Sequence, residues 1–159
     1  MSKTRRVKPV KFVVGMGNYA KNDDGIGLRV VETIVDDGLD DGFEALEAGN
    51  DPTRLLACLQ EGVDRVLIVD CAVMGLSPGD YQVFSLKDVA SKKEIGRGST
   101  HDGDVVKFIE LASDMGHTAP RVDFFAIEPK SLEMEMALSA TLEEKLPEYV
   151  QAVIEEIKR

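Results

Sequence analysis

Three polar side chains lie next to apolar segments of the chain, at positions where they could bind a metal ion. Asp24 follows the first apolar run, Asp70 closes the most apolar run, and His101 precedes a helical pattern. In open α/β sheets, ligands bind outside the carboxyl ends of the strands, and loops at that edge would bring these residues together. Two carboxylates and an imidazole, with coordination positions left open, suit a borderline divalent ion such as zinc or nickel. No spacing motif supports the site, so it remains a hypothesis at this point.

Each of these residues also has a structural interpretation. Asp23 and Asp24 could cap a helix, because acidic residues at a helix N-terminus contribute ~0.3–1 kcal/mol each. Asp70 could be the first solvated residue after a buried strand. A lone histidine is more often structural than a ligand, and the second histidine, His117, lies in a polar loop and is interpreted as solvated.

The segment Gly15–Ala20 fits the loose dinucleotide-binding pattern Gly-x-Gly-x-x-Gly/Ala. A nucleotide loop should lead directly into a helix whose N-terminal amides hold the pyrophosphate. Here residues 21–24 intervene, and two carboxylates occupy the approach of a phosphate, which makes nucleotide binding a weak alternative. Gly15, Gly17 and Asn18 are expected to shape this loop, since glycine permits positive φ and close approach. They could also contact a substrate.

A nucleophile is not evident in the sequence. Cys71 follows Asp70, but cysteines at strand ends are commonly buried and inert. No Ser-His-Asp or Cys-His arrangement can be assembled. Glu128-Pro129 closes the last strand and either borders the crevice or is a solvated strand end.

The elements that must position these residues alternate between short apolar runs and helical patterns. This alternation predicts an α/β fold with a largely parallel sheet. Arg65–Asp70 is predicted to be the central strand, because buried parallel strands lose their polar alternation. Tyr81–Ser85 follows so short a connection that we expect it to run antiparallel to the strand before it. The predicted strands are Val10–Val14, Phe43–Ala48, Arg65–Asp70, Tyr81–Ser85 and Arg121–Ile127.

The helices are predicted from apolar periodicity and capping residues. Asp51-Pro52 resembles an N-cap followed by proline at the first helical position. Thr141-x-x-Glu144 is a capping box that is expected to begin the last helix. Lys87–Ser99 is polar and contains glycine, which predicts a loop. The predicted helices are Gly25–Asp36, 51–60, Val105–Met115 and a final one from Thr141.

Composition limits the function classes. The 159 residues, 43% hydrophobic and 30% charged, fit a single domain over 1–159, with a basic, partly frayed lead-in at 1–9. The formal net charge of −10 disfavours nucleic-acid binding, and no apolar run approaches the ~20 residues that span a bilayer. Two cysteines make no disulfide framework, which favours the cytoplasm. No feature predicts an oligomer, so we expect a monomer.

The glycine-rich and acidic residues carry a family resemblance. Gly15-x-Gly17-Asn18, followed by Asp23-Asp24-Gly25-x-Gly27, resembles the N-terminal signature of the nickel–iron hydrogenase maturation endopeptidases. Further blocks follow in the family's order, so that the resemblance covers nearly the whole chain. These blocks are Leu67-Ile68-Val69-Asp70, Pro78-Gly79, Ser99-x-His101 and Ile127-Glu128-Pro129.

The resemblance implies a three-layer α/β fold, with a twisted, mostly parallel five-stranded sheet and helices on both faces. It implies an endopeptidase that removes a C-terminal extension from the hydrogenase large-subunit precursor after nickel insertion. The family's metal-contacting and catalytic residues fall on Asp24, Asp70 and His101, with Asp23 and the glycine loop in support. The nickel belongs chiefly to the substrate, so no tightly held cofactor is expected. Nickel could polarise the scissile bond or activate water, or it could only anchor the precursor. A non-catalytic assembly factor with the same docking surface is the main alternative.

Overall fold

A five-stranded sheet forms the centre of the fold. Its strands are β1 (Val10–Met16), β2 (Glu44–Gly49), β3 (Val63–Cys71), β4 (Tyr81–Ser85) and β5 (Arg121–Ile127). They lie in the order β2-β1-β3-β5-β4, and all pairs are parallel except β4 with β5. The structure is a computed structural model that describes residues 10–91, 102–117 and 119–159. The predicted sheet and the central position of β3 are confirmed.

Helices cover both faces of this sheet. They are α1 (Ile26–Asp36), α2 (Leu86–Ser91), α3 (Asp102–Asp114) and α4 (Ala140–Lys158), with 3-10 segments at Asn22–Gly25 and Pro52–Cys58. No helix within the described ranges combines the length and the apolar character needed to cross a membrane. The three-layer α/β fold is therefore as predicted.

The core is divided by the sheet into two apolar layers. On one face, Leu67 and Val69 of β3 pack with α1 and α4, where Tyr149 is fully buried. On the other face, Val66 and Ile68 pack with α3 and the second 3-10 segment. Successive residues of a strand point to opposite faces, so β3 is apolar on both sides because both sides are covered.

A buried ion-pair network closes the amino-terminal edge of the sheet. Arg65 of β3, with its side chain 2% exposed, contacts Asp123 of β5 at 2.8 Å and Glu156 of α4 at 3.0 Å. Arg65 also donates to the backbone oxygen of Glu156. The network joins two strands and a helix at the edge opposite the predicted site, so it is structural.

Three predictions about the middle of the chain are confirmed only in part. Tyr81–Ser85 runs in the predicted direction, but it pairs with β5 and not with β3. Asp51 does cap the next segment, accepting the Thr53 amide at 3.0 Å, yet Pro52–Cys58 is a 3-10 helix. The predicted loop at Lys87–Ser99 is wrong for residues 87–91, which belong to α2. Residues 92–99 and the lead-in 1–9 lie outside the described residues.

The N-cap of the last helix was predicted two residues late. Ser139 is its N-cap and accepts the Leu142 amide, so the capping box at Thr141 does not begin the helix. Pro147 lies inside α4, where the helix still continues to Lys158. Ser139 was missed because Leu142, three residues later, has no carboxylate or amide side chain that would complete a capping box.

Candidate functional site

Four buried carboxylates lie around Cys71 at the carboxyl edge of the sheet. Asp23, Asp24, Asp70 and Glu128 are 0%, 7%, 2% and 5% exposed. All four raise the pKa of the Cys71 thiol electrostatically, in addition to the larger effect of burial. They follow or close the three adjacent strands β1, β3 and β5, as the parallel topology requires.

Glycines allow the first turn of α1 to lie directly on this edge. A Cβ on Gly27 would be 2.1 Å from the backbone oxygen of Val69 and 2.6 Å from that of Met16. A Cβ on Gly15 would be 2.5 Å from the backbone oxygen of Gly27. Gly17 has φ +140°, and its Cβ would be 1.9 Å from the backbone oxygen of Asp24. The glycine motif therefore holds the acidic segment against β1 and β3 through backbone contacts.

Asn18 fixes the turn that precedes the acidic pair. Its Oδ1 accepts the Ala20 backbone amide at 2.9 Å, and its backbone amide donates to the Asp24 backbone oxygen at 3.2 Å. A 3-10 segment then separates β1 from α1, and both Asp23 and Asp24 are buried within it. This arrangement gives a phosphate no direct path to the start of α1, which weighs against the nucleotide alternative.

Asp23 fastens the loop between β5 and α4. Its Oδ2 accepts the amides of Lys130 at 2.9 Å and Ser131 at 3.0 Å, and the Ser139 hydroxyl at 2.8 Å. Its Oδ1 accepts the Ser139 amide at 2.8 Å. The residue before α1 is Gly25, which makes no side-chain cap. The interpretation as a cap of α1 is therefore wrong for Asp23, which supports the N-terminus of α4 instead.

Asn22 holds the same loop and was missed by the sequence analysis. Its backbone amide donates to the Glu135 backbone oxygen at 2.9 Å. Its side-chain amide donates to the Ala137 backbone oxygen at 2.6 Å, and its Oδ1 accepts the Ser131 hydroxyl at 3.0 Å. Its φ of +44° is left-handed, which asparagine tolerates better than most residues. That tolerance was the one local signal in the sequence.

Glu128 fastens the loop between β3 and β4. Its Oε1 accepts the amides of Met74 at 2.8 Å and Leu76 at 2.9 Å. Its backbone amide donates to Asp80, and its backbone oxygen accepts from Gly79, both at 2.8 Å. The interpretation of Glu128 as a solvated strand end is wrong. It is a buried acceptor at the carboxyl edge of the sheet.

Asp24 and Asp70 occupy the same edge as predicted. Asp70 is buried, so its interpretation as the first solvated residue after the strand is wrong. Its Oδ1 accepts the Cys71 amide at 2.8 Å. By strand alternation, Asp70 lies on the sheet face that packs against α3, and Cys71 lies on the α1 and α4 face.

His101, the third predicted residue, lies outside the described residues. Helix α3 begins at the next residue, Asp102, and its Val105 and Ile109 pack on the sheet face of Asp70. His117 is half-buried in the turn after α3, so it retains contact with solvent, as predicted. Across the described parts of the chain, no three His, Cys, Asp or Glu side chains are placed to hold a metal ion.

Cys71 has the properties of a structural thiol. It is 3% exposed, and burial together with four carboxylates raises its pKa far above the ordinary range. Only the thiolate is an effective nucleophile, so a protonated, enclosed thiol cannot attack a peptide carbonyl efficiently. Cys58 is also free and buried, and burial raises its pKa to about 12.

Comparisons with known proteins identify relatives of this fold and sequence. The sequence profile of a family described as hydrogenase maturation protease matches residues 28–156. The hydrogenase expression/formation protein HupD of Rhizobium leguminosarum bv. viciae is 29% identical over 126 residues, which are 79% of this chain and 62% of that protein. HupD of Rhodobacter capsulatus is 27% identical over 123 residues, which are 77% of this chain and 58% of that protein. The chain thus spans about three fifths of the length of these relatives.

Solved structures share the fold. The hydrogenase maturating endopeptidase HybD from E. coli superposes with a TM-score of 0.77 at 22% identity, over 93% of this chain and 91% of that one. The [NiFe] hydrogenase maturation protease HybD from Thermococcus kodakarensis also gives 0.77, at 23% identity, over 92% and 98% of the two chains. At these identities the likeness concerns the fold alone.

Proposed function

Since the chain belongs to the hydrogenase maturation protease family, we propose that it is an endopeptidase that removes the C-terminal extension of a nickel–iron hydrogenase large-subunit precursor. The observation that carries the proposal is the burial of Asp24 and Asp70 at one edge of the sheet, next to two further buried carboxylates. The burial of two carboxylates costs free energy, because water stabilises their charged form. Their placement where α/β proteins bind ligands supports a role in substrate contact.

The two aspartates and His101 are proposed to contact the nickel that the precursor carries. Carboxylate oxygens and an imidazole nitrogen are ligand types that suit nickel. Two of these residues come from a glycine-bounded segment and a strand end, both held by backbone contacts. The metal is part of the substrate in this proposal, so cleavage would report that nickel has been inserted. We also propose that processing takes place in the cytoplasm, which the two free, buried cysteines support.

Two roles of the nickel are distinguished by how cleavage depends on these residues. If nickel polarises the scissile carbonyl or activates water, a nearby carboxylate accepts the proton. If nickel only anchors the precursor, the three residues position the bond and contribute through binding. A variant of an anchoring residue raises KM, whereas a variant that removes a transition-state interaction lowers kcat.

Mass spectrometry of the precursor tests this function. The nickel-loaded and nickel-free forms are each incubated with the protein, and we expect loss of a C-terminal peptide from the nickel-loaded form alone. His101→Ala should abolish cleavage, while His117→Ala, the matched change of the other histidine, should retain it. Full activity of His101→Ala would refute the nickel contact. Binding of both precursors without cleavage of either would instead support the non-catalytic assembly factor.

A further inference from the structure

An apolar and acidic loop lies beside the predicted site. Residues 130–138, named here the methionine loop, connect β5 to α4 without regular structure. Met134 and Met136 are each 76% exposed, the largest exposed fractions among the exposed large hydrophobic residues of the described chain, and Leu132 is 37% exposed. The residues between them, Glu133 and Glu135, are exposed carboxylates. Three apolar side chains within five residues differ from the single exposed apolar residues that are normal on a protein surface.

The backbone of this loop is fixed although its side chains point to solvent. Asn22 binds it at Ser131, Glu135 and Ala137. The adjacent Asp23 binds Ser131 near the start of the loop and Ser139 immediately after its end. Exposed apolar side chains that are grouped on one loop are typical of an interaction surface. A fixed backbone lowers the entropy that is lost when these side chains become buried in a complex.

The loop is continuous with the predicted site. The residue that fastens it, Asp23, directly precedes Asp24 in the same 3-10 segment. The Asp23 amide donates to the Ser131 backbone oxygen at 3.2 Å, so the acidic segment and the loop are in direct contact. A long substrate bound at Asp24 would therefore reach the methionine loop.

We propose that the methionine loop is a docking surface for an apolar and basic segment of the hydrogenase precursor. This inference rests on the proposed function and adds the chemistry of the partner to it. Methionine is flexible and polarisable, so it adapts to varied apolar partners. The alternating Glu133 and Glu135, on a chain of net charge −10, favour cationic residues between the apolar ones.

Steady-state cleavage of the nickel-loaded precursor by a double variant, Met134→Ser with Met136→Ser, tests the docking surface. Both side chains are exposed, so the variant should fold like the wild type. We expect KM to rise tenfold or more with kcat within twofold, since burial of each methionine is worth roughly a factor of ten in affinity. Met115→Ser is the matched control, because Met115 is 70% exposed at the far end of α3. It should leave KM unchanged.

The outcomes separate this inference from the proposed function. An unchanged KM in the double variant overturns the docking surface while the endopeptidase remains. If the wild type does not cleave the precursor, the proposed function fails. The docking surface is then tested by the Kd of the wild type and of the double variant for the same precursor, and an equal Kd overturns it. A wild-type dimer that the double variant splits, with the precursor bound equally well, would assign the loop to a second copy of this chain. Glu133→Lys should also raise KM, and less so at high salt, as expected for a basic partner.

Discussion

The Asp23→Asn variant tests how strongly one buried carboxylate fastens the edge of the sheet. Two backbone N–H groups and the Ser139 hydroxyl donate to Oδ2, and the Ser139 amide donates to Oδ1. Asparagine accepts on one of these two atoms only. In its best orientation it keeps the three bonds to Oδ2 and directs its own NH₂ at the Ser139 amide.

The expected cost follows from the bond that is lost. A hydrogen bond to a charged group contributes ~1.5–3 kcal/mol, and an unpaired buried donor costs ~1–3 kcal/mol. The lost bond and the unpaired donor are the same Ser139 N–H group, so the two costs are not added in full. The remaining bonds to Oδ2 become weaker because the amide oxygen of asparagine carries no charge. We therefore expect Asp23→Asn to lower the free energy of unfolding by about 2–4 kcal/mol. Asp37→Asn, an exposed aspartate at the end of α1, should change it by less than ~0.5 kcal/mol.

Urea unfolding followed by far-ultraviolet circular dichroism measures this difference, since the chain has no tryptophan. Hydrogen exchange at the Lys130 and Ser131 amides reports local opening of the methionine loop separately. In Asp23→Asn, both amides should exchange faster than in the wild type. If the unfolding free energy and the exchange of both amides equal those of the wild type, the carboxylate does not fasten the loop and the reasoning is refuted.

Three further perturbations act on the same edge. Gly27→Ala places a methyl group against two backbone oxygens and should cost more than ~3 kcal/mol in urea unfolding, whereas Gly38→Ala, strained only by its φ of +65°, should cost about 1–2 kcal/mol. Glu128→Ala should lower stability by ~2–3 kcal/mol and expose its two loop amides to hydrogen exchange, while Glu128→Gln, which keeps one acceptor oxygen, should lose less than half of that. Burial raises the pKa of the Cys71 and Cys58 thiols above the ordinary value of 9.0. The stability that the fold gains from burying them as neutral thiols is therefore complete below pH 9. This part of the free energy of unfolding is lost as the pH rises above 9, by up to ~1.4 kcal/mol per pH unit for each thiol. Under reducing conditions Cys71→Ala should make the fall in stability above pH 9 less steep, and an unchanged slope would contradict the assigned cause.

The sequence was sufficient for the architecture and for the placement of Asp24 and Asp70 at one edge of the sheet. The apolar run at β3 was predicted as the central strand because a strand covered on both faces has no polar alternation. Asp24 and Asp70 were assigned to the carboxyl edge from topology, and they are buried there. These inferences succeeded because they depend on local pattern and on a general property of parallel sheets.

The errors came from contacts between distant parts of the chain. Asp23 was interpreted as a cap of the helix next to it, but its acceptors serve a loop more than a hundred residues away. The pairing of β4 with β5, which are separated in sequence by α2 and α3, was also not evident from the sequence. Capping preferences describe neighbours in sequence, so they gave no information on either contact.

The loops around the site are held mainly by their peptide groups. Asp23 and Glu128 accept backbone amides at residues 74, 76, 130, 131 and 139, and Asn22 donates to backbone oxygens at 135 and 137. Every residue except proline offers such an amide, so the side chains at 132, 134 and 136 can be replaced without loosening these attachments. The same scaffold can therefore acquire preference for a different precursor through surface substitutions alone. A designer who wished to redirect this protein would vary those positions and leave the three anchoring residues unchanged.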